Sequence, residues 1–129
     1  VLFRSNDDDV PEKQYRSLWH LANVSGGIAG IDDNFQIETI IWSFNEATSI
    51  LTVENNNSDD MLQDGLDSGT YDYTILTSGN DSFLTIDGNE YGLLTFTQTG
   101  MTINGNIKST GNEADNFIYT FQLQTVIIE

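Results

Sequence analysis

Ser17-Leu18-Trp19-His20-Leu21-Ala22-Asn23-Val24-Ser25-Gly26-Gly27 is the stretch whose reading decides the fold. Before it lies a polar tail; after it, short apolar runs and turn residues alternate to the end of the chain. A period of two puts Trp19 and Leu21 on one face and Leu18, His20 and Ala22 on the other. If the sheet closes on itself, this first strand must pair with the last one, Asn116 to Thr125.

Six further strands are expected between them. The first runs from Gln36 to Asn45, with Ile40, Trp42 and Phe44 on one face and Ile37, Thr39, Ile41 and Ser43 on the other. Asn45-Glu46-Ala47-Thr48 turns into Ser49 to Asn55, with Leu51 and Val53 inward, the strongest hairpin signal in the chain. Gly69 to Thr77 sets Tyr71, Tyr73 and Ile75 against Thr70, Asp72 and Thr74. Ser82 to Ile86 offers Leu84 and Ile86, and Asp87-Gly88 is a favoured hairpin pair. Glu90 to Thr99 places Leu94 with Phe96, and Met101 to Lys108 turns Met101 and Ile103 inward, with a bulge expected at Asn104-Gly105. The last strand offers Phe117, Tyr119, Phe121 and Leu123.

Eight short strands joined mostly by hairpin-length turns predict an all-β fold, an eight-stranded antiparallel up-and-down barrel. A sandwich calls for more crossover connections. The interior of such a barrel is either filled by side chains or holds one small ligand. Two connections stand out. Ile28, Ile31 and Phe35 fall at i, i+3 and i+7, predicting a short helical turn that plugs one barrel end. Asn56 to Ser68 is long and polar, tethered by Met61, Leu62 and Leu66.

The 129 residues make one domain, read as a leader over 1–16 and a barrel over 17–129. The net charge is −16; past Lys13, sixteen acids face only Arg16 and Lys108, a net of −14. Such a field repels phosphate backbones and anionic lipid, so neither nucleic acid nor a membrane surface is an expected partner. No apolar run is long enough to span a bilayer. The absence of cysteine removes disulfide, zinc-thiolate and thiol-nucleophile chemistry together.

The leader reads as disordered and acidic, with Asp7, Asp8, Asp9 and Glu12. Val1-Leu2-Phe3-Arg4-Ser5 is unrelated to the run that follows, and back-translates to the end of a common sequencing adapter. These five residues are read as an assembly artefact with the true N-terminus lost; a frayed segment is the alternative.

The order Trp19-x-Leu21, Val24-Ser25-Gly26-Gly27, Ile40-x-Trp42-x-Phe44, Leu51-Thr52-Val53 and Gly69-Thr70-Tyr71 resembles the small lipocalin-like domains of Bacteroidota surface lipoproteins. The resemblance covers nearly all of Ser17 to Gln124. Ser17-Leu18-Trp19 keeps the tryptophan of the lipocalin Gly-x-Trp signature and loses its glycine, and Phe121-Gln122-Leu123-Gln124 lacks the basic residue that usually covers that tryptophan. The resemblance implies a lipocalin/calycin-like barrel and a lipid anchor upstream of the present N-terminus. It also implies an extracytoplasmic, outer-membrane or cell-surface location in a Gram-negative bacterium.

No Gly-x-Ser-x-Gly elbow or glycine-rich phosphate loop is present, no carboxylate pair can be singled out from the acids, and no cofactor is implied. His20 is the only histidine and is expected outward or at a rim. Asp59, Asp60, Asp64 and Asp67 offer clustered oxygens, but no glutamate closes a twelve-residue calcium loop, so a solvated loop is expected and at most a weak metal site. Trp42, Phe44, Tyr71, Tyr73, Tyr119 and Phe121 are the candidate barrel lining, forming either an aromatic ligand pocket or the core. The expected function is therefore a non-enzymatic module binding a small apolar ligand, with a filled barrel acting in protein interaction or structure as the alternative.

Overall fold

In the computed structural model, which describes residues 14–128, the first and last strands are the longest ladder. β1 (Gln14–Gly26) runs antiparallel to β11 (Phe117–Ile128), from Gln14 opposite Ile128 to Gly26 opposite Phe117. The strand thus begins within the stretch expected as leader. The expectations for residues 1–13 lie outside the described residues.

The chain then closes the barrel as a meander. β2 (Ile31–Asn34) folds back on the end of β1, and β3 (Ile40–Asn45) joins β1 further along. β4 (Ile50–Asn55), β5 (Gly69–Ser78), β6 (Asp81–Ile86), β7 (Asn89–Phe96) and β8 (Gly100–Asn104) follow, each paired antiparallel with its predecessor. β8 pairs with β11, which completes a closed eight-stranded up-and-down barrel, lipocalin/calycin-like as expected. β9 (Ile107–Lys108) and β10 (Gly111–Asn112) make a small separate hairpin between β8 and β11.

Several boundaries differ from the sequence reading. The strand expected from Gln36 starts at Ile40, because Ile37 and Glu38 sit in a turn. Asn104-Gly105 ends β8 in a turn rather than bulging it. The helical plug over Ile28 to Phe35 is absent: the segment is a hairpin with β1 and β2, and Ile28 is 90% exposed while Ile31 and Phe35 pack against the core. Pairing to β1 satisfied the backbone better than one isolated helical turn, which is costly to nucleate.

A register shift between Leu21 and Asn23 explains a feature that strict alternation misses. The extra residue resets the parity, so Leu21 and Val24 are both fully buried although three positions apart. A second shift, between Leu84 and Thr85, accompanies Gly92 at φ +134. A Cβ on Gly92 would run into the Asn104 carbonyl oxygen, so the close approach of β7 and β8 requires glycine.

The core is the inner face of this barrel. Ile40, Trp42, Leu51, Val53, Leu84, Ile86, Met101, Ile103 and Phe121 are all buried there, as the period of two dictates. Phe83, on the opposite face from Leu84 and Ile86, is also buried, in cross-strand register with Leu76 and Leu93 on the outside.

Candidate functional site

The two barrel ends are built differently. At one end the β1–β2 hairpin and the 56–68 connection fold over the interior. Leu66 packs against the core, and a Cβ on Gly65 would stand 3.6 Å from the Tyr119 ring and 3.9 Å from Trp42. The connection is held by side-chain bonds: Asn55 Nδ2 donates to the Leu66 carbonyl (3.0 Å), and Asp33 Oδ2 accepts from Gln63 N–H (2.9 Å). Gly65 and Leu66 thus share the closure of this end with Ile31 and Phe35 of the segment expected to plug it.

The opposite end gathers the start of β1, the β3–β4, β5–β6 and β7–β8 turns and the end of β11. It opens into a cup of about 560 Å³. Phe44, Tyr73, Leu94 and Met101 line the cup among the core residues, and Trp19, Ile75 and Phe96 form its upper wall. Phe96 and Tyr15 are 57% and 60% exposed, an unusual outlay of aromatic surface toward water. Trp19 and Phe96 face each other with ring centroids 5.7 Å apart.

Between the ends the interior is filled. The Trp42 ring meets Phe121 at 4.8 Å, and Phe44 meets Tyr73 edge-on at 4.9 Å. The indole Nε1 of Trp42 is buried without a hydrogen-bond acceptor among the described residues. No family model, curated protein or solved structure matches this chain.

Of the six aromatic candidates, Phe44 and Tyr73 line the cup. Trp42 and Phe121 fill the middle, while Tyr119 and Tyr71 lie toward the plugged end. Burial, with Tyr91 beside it, pushes the Tyr119 phenol up to about 12. Burial also raises Tyr91, Tyr71 and Tyr73, helped at Tyr71 by Asp67 and at Tyr73 by Glu46. All four are neutral hydroxyls in the neutral range. Tyr71 donates to the Asp67 carbonyl at 2.7 Å.

The cup residues that the candidate set missed include Trp19, Ile75, Leu94, Phe96 and Met101. Their inward parity was readable; their height along the barrel axis was not, because it depends on register across all eight strands.

His20 takes the expected outward place, and it is covered there. It lies on the outer face, as its parity requires, but is only 1% exposed. The 35–39 link between β2 and β3 covers it, and its Nδ1 accepts the Glu38 N–H (3.1 Å). An N–H only donates, so Nδ1 is bare and Nε2 carries the proton given to Gln124 Oε1 at 2.7 Å. Nδ1 thereby holds the link down, while Nε2 ties the ring to β11.

Asp59 and Asp64 brace the 56–68 connection from within. Asp59 Oδ1 accepts from Met61 N–H (3.0 Å), Asp64 Oδ2 accepts from Asn57 Nδ2 (2.9 Å), and Asp60 is exposed. Among the described residues no three His, Cys, Asp or Glu side chains converge as metal ligands.

Proposed function

We propose that this chain is a non-enzymatic, lipocalin-like binding module that holds a small apolar ligand in the open cup. The observation that carries the reading is the cup itself. Its 560 Å³ lies within the range of small-molecule sites, and Phe44, Ile75, Leu94, Phe96 and Met101 give it an aromatic and aliphatic side. Compared with the sequence expectation, the ligand sits higher, against Phe96, Trp19 and Phe44 rather than around Trp42. The family resemblance and the acidic leader support an extracytoplasmic, surface-lipoprotein setting with an anchor upstream.

A second reading has its own support. The packed middle, with Trp42 against Phe121, suits a filled barrel whose loops meet another protein. Titration of the full chain with N-phenyl-1-naphthylamine separates the two. Saturable binding that Phe96→Asp weakens at least about tenfold, by placing a charge in the apolar wall, supports the ligand cup. No saturable binding, or binding indifferent to that substitution, favours the interaction module.

A further inference from the structure

The two sides of the cup have different chemistry. Ile75, Leu94, Phe96 and Met101, from β5, β7 and β8, make one side apolar. Ser17, Ser43, Asn45, Glu46 and Thr52, from β1, β3 and β4 with the turn between them, make the other side hydrogen-bonding.

This division follows from how the barrel is closed. β1 and β3 are in register at only two positions, Trp19 with Trp42 and His20 with Ile41. Toward the open end both strands continue, β1 back to Gln14 and β3 on to Asn45, outside that ladder. The resulting seam lets Ser43, which alternates with the inward Trp42 and Phe44, reach the edge of the cup, and Thr52 stands beside it in register on β4. Strand margins outside a ladder also present main-chain donors and acceptors to whatever lies beside them.

We infer that the cup takes an amphiphile, its apolar chain against Leu94 and Phe96 and an uncharged or cationic head at the β1–β3 seam. The inference rests on the ligand-binding reading above and adds the head group to it. The head of an amphiphile can hydrogen-bond the hydroxyls and amide of the seam, which an unbranched hydrocarbon cannot.

The sign of the head follows from charge. Glu46 stands on the seam, and sixteen acids against Arg16 and Lys108 past residue 13 set a negative field around it. Arg16 lines the same lip and is exposed, as Glu46 is, so the lip carries one charge of each sign and the wider negative field sets the preference. The Glu46 carboxylate reaches the cup wall: after burial, it is what raises the Tyr73 phenol. An anionic head would meet that same carboxylate.

Decylammonium, decanol and decanoate, each below its micelle concentration, share one chain and differ in head charge. Their titration into the full chain is read from tryptophan emission, since Trp19 borders the cup. We expect all three to saturate, with decylammonium at least about threefold tighter than decanoate at roughly 20 mM salt and the gap closing near 300 mM. Glu46→Gln should narrow the gap between the two charged heads, whereas Phe96→Ala should weaken all three alike. Decanoate binding as tightly as decylammonium, or a gap indifferent to Glu46→Gln, overturns the head-group inference and leaves the ligand cup standing. If none of the three saturates, both readings fall.

Discussion

Replacing Trp42 by phenylalanine sets two effects against each other inside the barrel. Trp42 is fully buried, with Phe121 at 4.8 Å and Phe44 at 6.3 Å between ring centroids. Phenylalanine is smaller by roughly 40 Å³, a cavity cost of about 1 kcal/mol, and the lost transfer of the extra ring atoms adds about another 1 kcal/mol. Against this, the indole N–H is buried with no acceptor among the described residues. An orphaned donor of this kind costs about 1–3 kcal/mol, and phenylalanine removes it. Trp42→Phe should therefore lie within about 1 kcal/mol of the parent, while Trp42→Ala, which leaves a large void, should cost about 3–5 kcal/mol. Urea unfolding followed by circular dichroism measures both. A loss of about 3 kcal/mol or more for Trp42→Phe would mean that the N–H is satisfied and the account of the interior is wrong. Trp42 does not line the cup, so naphthylamine affinity should be unchanged in Trp42→Phe. Weakened binding with intact stability would place the ligand deeper, around Trp42.

Other perturbations test the frame around the cup. Gly92→Ala, which forces a Cβ against the Asn104 carbonyl at φ +134, should cost about 3 kcal/mol or more by urea unfolding; Gly88→Ala, in an open turn, should cost less. The Tyr119 phenol is raised in the fold from 10.0 to about 12, so its stabilising effect is complete below pH 10 and lost as pH rises through 12. That loss amounts to about 2–3 kcal/mol, and Tyr119→Phe should remove most of it from a stability profile over that alkaline window. His20→Ala leaves Gln124 and the Glu38 N–H without their partner, and should cost about 1–3 kcal/mol while speeding amide exchange in the 35–39 link. With a net −14 past Lys13, monovalent salt should raise the melting temperature by screening self-repulsion, and a flat response would show that the acids are too dispersed to matter.

The strands were legible because one face of each is apolar. Ile40-x-Trp42-x-Phe44 and Tyr119-x-Phe121 turn the same way in the barrel as their spacing demands. Closure of the first strand on the last followed from the need to leave no long edge bare. What alternation could not reveal was anything set by contacts between distant segments. The shift at Leu21/Asn23 is a matter of how β1 fits β11, and nothing in Leu21-Ala22-Asn23 announces it. Likewise Gly65 and Leu66 came to share in the plug because the 56–68 connection reaches across the end, held by Asp33 and Asn55. The six aromatics all turn toward the interior, but of them only Phe44 and Tyr73 reach the cup. Parity tells inside from outside, whereas lining the cup depends on height along the axis, which separated Phe44 from Trp42 only two residues away.

The pairing of Gln14 with Ile128 has a mechanical consequence. The chain enters and leaves the barrel at adjacent points on the open end, through two antiparallel neighbours. A pull on the two termini therefore acts across the ladder rather than along it, and opens its hydrogen bonds one pair at a time, like a zip, instead of shearing them together. Such a geometry yields at low force despite the length of the ladder. The first pairs to part border Tyr15 and Ser17, so tension would unmake the lip of the cup before it touched Trp42 or the plugged end.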